Sequence, residues 1–137
     1  MSDSEALGGH KRVNFIGAPN FFNLNHACVM LREAFGTHSY LVGSALNRRD
    51  FRDVDVRCIL PDDKYDAMFP GILRNQGLHP LWSLMCAAIS EWLSSRTGLP
   101  IDFQIQRQSD CNEDYPHQPR SALGMFVWKN DAREVEK

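Results

Sequence analysis

Residues 53–60 read Asp-Val-Asp-Val-Arg-Cys-Ile-Leu and are followed by a proline. In an extended strand, successive side chains point to opposite faces. The two valines, the cysteine and the leucine therefore share one face, and Asp53, Asp55 and Arg57 share the other. The pattern predicts a half-buried β-strand over residues 54–60, with carboxylates gathered on its polar face.

Two more segments predict strands of the same sheet. Residues 39–42 form a short, mostly apolar run that ends at a Gly-Ser pair. Residues 101–107 alternate apolar with polar side chains and carry Asp102 on the polar side. Because Asp102 has the same phase in its strand as Asp55 has in its own, pairing of neighbouring strands would bring these carboxylates to one sheet face.

Helices are predicted between and before these strands. Apolar residues recur at helical spacing in residues 20–35 and 81–96, and a shorter helix is predicted over residues 62–68. In residues 81–96, an apolar stripe that includes Leu81 and Leu84 is predicted to face the core. The order of the main elements is helix, strand, strand, helix, strand. It predicts an α/β (α+β) fold with a small mixed sheet and helices packed mainly on one sheet face.

Length and chain organisation favour one compact domain. The chain has 137 residues, of which 43% are hydrophobic, enough to build a core. We expect a flexible N-terminus over residues 1–12, a folded domain over 13–128 and a charged C-terminal tail over 129–137. Within the domain, residues 108–121 predict a polar loop and residues 124–128 a last strand.

Composition excludes several functional classes. The formal net charge of -2 gives no basic surface for tight nonspecific binding to duplex DNA. No apolar run has the length of a membrane span, and the first residues lack the features of a secretory signal. The four cysteines form no metal-binding pair, which favours reduced thiols. We therefore expect a cytoplasmic protein that does not associate with membranes.

Three carboxylates on one sheet face predict a metal site. Such a cluster is costly unless a cation neutralises it. Asp53 and Asp55 lie two positions apart on one strand, and Asp102 has the matching phase on another. Oxygen ligands of this kind suit a hard divalent cation, so the pattern predicts Mg²⁺ (or Mn²⁺) held by Asp53, Asp55 and Asp102.

Phosphate-binding groups are predicted beside these acids. Gly43 allows backbone N–H groups to approach a phosphate closely, and the Ser44 hydroxyl adds a donor. Planar guanidinium groups also suit phosphate oxygens. The alternative is that the arginines pair with nearby surface acids, which is common and contributes little. The arginines around the acids are Arg48, Arg49, Arg52 and Arg57.

Gly43-Ser44, the acid-apolar-acid strand at Asp53 and Asp55, and the later strand acid Asp102 together resemble the polymerase-β-like nucleotidyltransferase superfamily in its minimal form. The resemblance covers residues 39–107. It implies a nucleoside triphosphate such as ATP, bound with Mg²⁺. The nucleotidyl group would pass to a hydroxyl-bearing acceptor, and pyrophosphate would leave.

The resemblance also implies a role for each matched residue. Asp53 and Asp55 would bind both metal ions. Asp102 would ligate the catalytic metal and help to deprotonate the acceptor hydroxyl, while Ser44 would contact the β- and γ-phosphates. The acceptor is not specified and could be a protein, an RNA or a small molecule. Tyr115 and His117, in the polar loop, are candidates to contact it.

Three alternatives compete with this hypothesis. The first is a noncatalytic nucleotide-binding or partner module, for example in a toxin–antitoxin-like complex, acting with a protein partner or as a homo-oligomer. The second, a haloacid-dehalogenase-type phosphatase, requires Thr or Val where this chain has Arg57. The third, a nucleotide-sugar glycosyltransferase, needs nucleotide and acceptor halves, for which 137 residues are few.

Overall fold

The computed structural model describes residues 14–71 and 79–125. The predicted N-terminal segment, residues 1–12, and the predicted charged tail, residues 129–137, lie outside the described residues. No helix in the described part of the chain is long and apolar enough to cross a membrane. In chain order the elements are α1 Asn20–Phe35, β1 Ser39–Val42, α2 Ser44–Asn47, β2 Val54–Leu60, α3 Asp62–Met68, α4 Pro80–Thr97, β3 Ile101–Arg107, α5 Gln108–Asp114 and β4 Ser121–Ala122.

The strands form one mixed four-stranded sheet in the order β3-β2-β1-β4. β2 pairs parallel with β3, and β1 pairs antiparallel with both β2 and β4. The predicted α/β class is confirmed, and β1, β2 and β3 have the predicted bounds. The predicted last strand is not: β4 lies at Ser121–Ala122, before the expected start at residue 124, and residues 126–128 lie outside the described residues.

The core lies on one face of this sheet. Alternate residues of β2, beginning with Val54 and Val56, are fully buried, and they cluster with apolar residues of β3 and with helices α1 and α4. Burial raises the pKa of the Cys28 thiol on α1 and of the Cys58 thiol on β2 to about 12 in each case. Both thiols therefore stay protonated and pack as small hydrophobic groups.

Helix α4 covers the outer edge of β3, one of the two edge strands of the sheet. The hydroxyl oxygens of Ser90 and Ser94 accept hydrogen bonds from the backbone N–H groups of Phe103 (2.8 Å) and Ile101 (3.1 Å). The Trp82 indole N–H donates to a backbone carbonyl of the same strand at 2.7 Å. These side chains satisfy strand groups that would otherwise lack a ladder partner.

The orientation of α4 corrects the predicted apolar stripe. Leu81 and Leu84 are 47% and 67% exposed, so the prediction that they face the core is wrong. The buried side carries Cys86 and Leu93, together with the serines that contact β3. The helix turns this face inward because the hydrogen bonds to the strand edge need polar side chains there.

The sequence predicts a polar loop over residues 108–121, but the first half of this segment forms helix α5. The Arg107 guanidinium, at the end of β3, donates to both carboxylate oxygens of Asp66 at 2.9 and 3.2 Å. It also lies 3.6 Å from Asp110 on α5. The Asp62 carboxylate accepts hydrogen bonds from the Ser109 backbone N–H (2.9 Å) and hydroxyl. These contacts hold α5 against α3 and the end of β3.

Candidate active site

The register of the parallel strands places two predicted site residues side by side. Asp55 and Asp102 are Cα partners in the pairing of β2 with β3, and both side chains project from the polar sheet face. The Asp55 side chain is 27% exposed and that of Asp102 is 47% exposed. The two carboxylates therefore share one partly desolvated surface.

Arg57 lies between these carboxylates. Its Nη2 is 3.4 Å from Asp102 Oδ2 and 3.8 Å from Asp55 Oδ1. Its Nη1 donates a hydrogen bond of 2.7 Å to the backbone carbonyl of Asp102. Arg57 follows Asp55 by two positions on β2, so the strand repeat puts both on the same face. The structure thus brings the Arg57 guanidinium into contact with the carboxylates of Asp55 and Asp102.

Asp55 is the carboxylate most affected by its surroundings. Desolvation raises its pKa, the positive charge of Arg57 lowers it, and the negative charges of Asp102 and Asp53 raise it again. The net effect is a pKa above the ordinary value, although Arg57 is close. The ionised Asp55 is therefore only partly compensated, and a further cation at this face would be favourable.

Gly43 approaches Asp55 too closely for any other residue. A Cβ atom at Gly43 would lie 2.4 Å from Asp55 Oδ2, and the backbone has φ +79°, which favours glycine. The turn therefore brings the main chain of Gly43 against the carboxylate, with Ser44 following directly as the first residue of α2. The Asn47 amide donates to the Gly43 carbonyl at 3.3 Å and closes the turn.

The remaining predicted residues lie around this pair rather than in it. Asp53 precedes β2 and is exposed, but its charge still reaches Asp55. Arg48, Arg49 and Arg52 are exposed. Arg48 Nε lies 3.6 Å from the Asp50 carboxylate, and the Arg49 guanidinium lies over an aromatic ring, 5.9 Å from its centroid. The structure does not bring these three arginines onto Asp55 and Asp102.

The carboxylates have the donor chemistry of a magnesium site, but they are not grouped as a ready-made cage. Within residues 14–71 and 79–125, no three His, Cys, Asp or Glu side chains stand together as a metal-binding group. Mg²⁺ is usually held by one or two carboxylates together with substrate phosphates. Asp55 and Asp102 fit that requirement. Metal binding by all three residues, Asp53, Asp55 and Asp102, stays a prediction.

A cavity of about 320 Å³ opens on the polar face beside the carboxylates. It is bounded by Asp55 and Arg57 at the sheet and by α5 and the segment after it. Besides Tyr115, a sequence-based candidate for acceptor contact, the lining residues not assigned to the site from sequence are Val42, Ile59, Gln104, Gln106, Cys111, Gln118 and Arg120. The phase of β3 could have indicated the two strand glutamines. Nothing in the local sequence marks Arg120.

Comparison of the chain with protein-family models, with curated proteins and with solved structures returns no significant match.

Proposed function

We propose that this protein is a metal-dependent nucleotidyltransferase of the polymerase-β-like type, which moves an NMP from an NTP to a hydroxyl-bearing acceptor and releases pyrophosphate. The observation that carries the proposal is the register pairing of Asp55 with Asp102 next to the Gly43 turn. One or two carboxylates together with substrate phosphates can hold Mg²⁺, and a metal ion held in this way supports displacement at a phosphorus atom.

The proposed roles follow from these positions. Asp55 and Asp102 would hold Mg²⁺, with Asp53 as a further ligand from the start of β2. When bound, the metal ion supplies Lewis-acid polarisation of the phosphoryl oxygens. The Ser44 hydroxyl, at the turn that follows Gly43, would donate a hydrogen bond to a phosphate beside the carboxylates.

The resemblance assigns the proton-accepting role to Asp102, whose side chain is the more exposed of the two acids. In the proposed reaction the acceptor oxygen forms a bond to the α-phosphorus. The bond from that phosphorus to the bridging oxygen of pyrophosphate breaks, and the hydroxyl proton passes to Asp102. Arg57 would orient Asp102 through its hydrogen bond to the Asp102 carbonyl.

The proposal is tested by label transfer. The purified protein is incubated with each α-labelled NTP, Mg²⁺ and a cell extract, and labelled products are separated. We expect Asp55→Asn and Asp102→Asn to lower transfer by at least about 100-fold. Asp63→Asn, which removes an exposed carboxylate on α3, is the matched control and should transfer normally. Equal transfer by the control and both site variants would reject the assignment.

A second candidate function is favoured by the position of Arg57. Since its guanidinium already reaches both carboxylates, the site is partly neutralised without any metal. This arrangement suits a noncatalytic nucleotide-binding or partner module. Calorimetry with Mg²⁺ and each NTP separates the two functions, because binding with no label transfer under any acceptor condition supports the noncatalytic module.

A further inference from the structure

The cavity on the polar sheet face extends from the carboxylates in one direction. Asp55 lies in register with Val42 of β1. The next rows along β2 place Arg57 beside Gln104 and Ile59 beside Gln106. The cavity follows these rows. Because β1 runs antiparallel to β2, the chain leaves β1 at Gly43 on the opposite side of Asp55 from the Arg57 row.

This placement gives the two sides of the carboxylates different tasks, if the proposed function holds. In an in-line displacement, the nucleophile and the leaving group lie on opposite sides of the phosphorus. With the leaving phosphates at the Gly43-Ser44 turn, the acceptor approaches from the side of Arg57. The cavity is the enclosed space on that side.

Three of the residues that line this cavity, Gln104, Gln106 and Gln118, carry side-chain amides. Among the described residues, the side-chain amides of Gln104 and Gln106 make only one long contact, at 3.5 Å, with each other. Gln118 and Tyr115 face the same space. Each amide offers both donors and an acceptor, and the phenol offers one of each. Groups of this kind suit a hydroxylated ligand.

Among the described residues, no acidic side chain pairs with Arg120, one of the two arginines that line the cavity. Its guanidinium donates to Asn112 Oδ1 at 2.9 Å and contacts Cys111 Sγ at 3.4 Å. In residues 14–71 and 79–125 it forms no ion pair, whereas Arg57 lies against two carboxylates. A guanidinium with open donors at the wall of a polar cavity favours an anionic oxygen group.

We propose that this cavity takes a small hydroxyl-bearing molecule with an anionic group, a phosphate or a carboxylate, which Arg120 binds, and that this molecule is the acceptor. The acceptor role rests on the proposed nucleotidyltransferase function. A volume of about 320 Å³ suits a ligand of sugar or nucleoside size rather than a folded macromolecule. Gln104 and Gln106 would position its hydroxyl groups.

The test measures binding of three probes by calorimetry: ribose 5-phosphate, gluconate and ribose. We expect at least one anionic probe to bind and ribose to bind at least about 10-fold more weakly, since it lacks the group that Arg120 holds. Preference for ribose 5-phosphate over gluconate would identify phosphate as the anion, and the reverse would identify carboxylate. Equal binding of all three probes, or binding of none, overturns the proposal.

Substitutions of Arg120 test whether the probes bind in this cavity. Arg120→Gln should lower affinity for the anionic probe at least about 10-fold, while Arg120→Lys keeps the charge but loses the guanidinium fork and should lower it less. Arg96→Gln is the control, because that arginine lies over the Trp92 ring on α4. Thermal unfolding checks that each variant is folded. Unchanged binding in folded Arg120→Gln overturns the assignment.

The same variants distinguish failure of this inference from failure of the proposed function. Binding that depends on Arg120, with no transfer of label from any NTP, rejects the transferase and keeps the cavity as an anion-binding site. Label transfer to an acceptor with no binding that depends on Arg120 supports the transferase and rejects the cavity as its acceptor site.

Discussion

Asp55 and Asp102 are register partners on adjacent parallel strands, so their carboxylates share one face of the sheet. Arg57 reaches both and compensates them in part. The charge of Asp102 nevertheless contributes to a raised pKa at Asp55, after the larger effect of desolvation. The fold therefore maintains an unfavourable charge at this position, and a site built for a ligand carries this kind of cost.

The first prediction concerns the pH dependence of stability in metal-free protein. Because the pKa of Asp55 is raised in the fold above its ordinary value of 3.8, the folded protein holds this proton more tightly than the unfolded chain does. The free energy of unfolding then falls as pH rises between the two pKa values. We expect Asp55→Asn to melt higher than wild type at neutral pH in EDTA, with the difference vanishing as pH falls towards 3.8.

Asp62→Asn is a matched substitution at a carboxyl group whose pKa is shifted in the opposite direction. Hydrogen bonds from Ser109 lower the pKa of Asp62 in the fold. Its ionised form therefore contributes stability above the unfolded pKa, and that contribution is lost as pH falls through the lower folded pKa. Asp62→Asn should melt below wild type at neutral pH and approach it in acid. Thermal scans across pH in which both variants shift in the same direction would contradict this account.

Gly43→Ala should disrupt the site by two effects at once. The substitution strains a backbone at φ +79° and ψ −154° and sets a Cβ against Asp55 Oδ2. Gly98→Ala is the control, because Gly98 has φ +74° but nothing within 4 Å of its Cβ. We expect about 1 kcal/mol of destabilisation at Gly98 and about 2–4 kcal/mol at Gly43, measured by urea unfolding. Equal losses would contradict both the greater backbone strain at Gly43 and its contact with Asp55, since Gly98 has ψ +13° and no such contact.

The third prediction is competition between Arg57 and magnesium. Arg57→Gln removes the guanidinium that lies against Asp55 and Asp102, so the two carboxylates are left without their cation. We expect the variant to melt below wild type in EDTA and to gain more thermal stability than wild type when MgCl₂ is added. Arg96→Gln serves as the control. A magnesium-induced shift no larger in Arg57→Gln than in wild type would contradict competition between Arg57 and magnesium for this pair.

The strands and the acid pair could be predicted because their signals are local. Alternation along β2 and β3 defines their polar faces, and the shared phase of Asp55 and Asp102 needs only the assumption that these strands are neighbours. The same repeat places Arg57 on the acid face. The exposed arginines illustrate the limit, since proximity in sequence did not bring Arg48 into contact with the acids.

Features held by distant contacts could not be predicted. Helix α5 is short and polar, and it depends on Arg107 and on Asp62, which lies far earlier in the chain. The spacing of apolar residues in α4 predicts the wrong inward face for this helix. Its serines bond the β3 backbone, and a hydrophobic pattern does not reveal that role. Arg120 acquires its place only when the chain after α5 returns to the sheet as β4.

The last prediction measures what α4 contributes to the edge of β3. Ser90 Oγ accepts from the Phe103 N–H at 2.8 Å, so Ser90→Ala leaves a partly buried strand donor without its partner. We expect a loss of about 1–3 kcal/mol in the free energy of unfolding. Ser95→Ala on the same helix removes an exposed hydroxyl that bonds only the Trp92 carbonyl, and it should cost less than about 0.5 kcal/mol. Urea unfolding measures both losses, and hydrogen exchange at the Phe103 amide should accelerate only in Ser90→Ala. Equal losses in the two variants would mean that the hydrogen bond from Phe103 to Ser90 does not stabilise the strand edge.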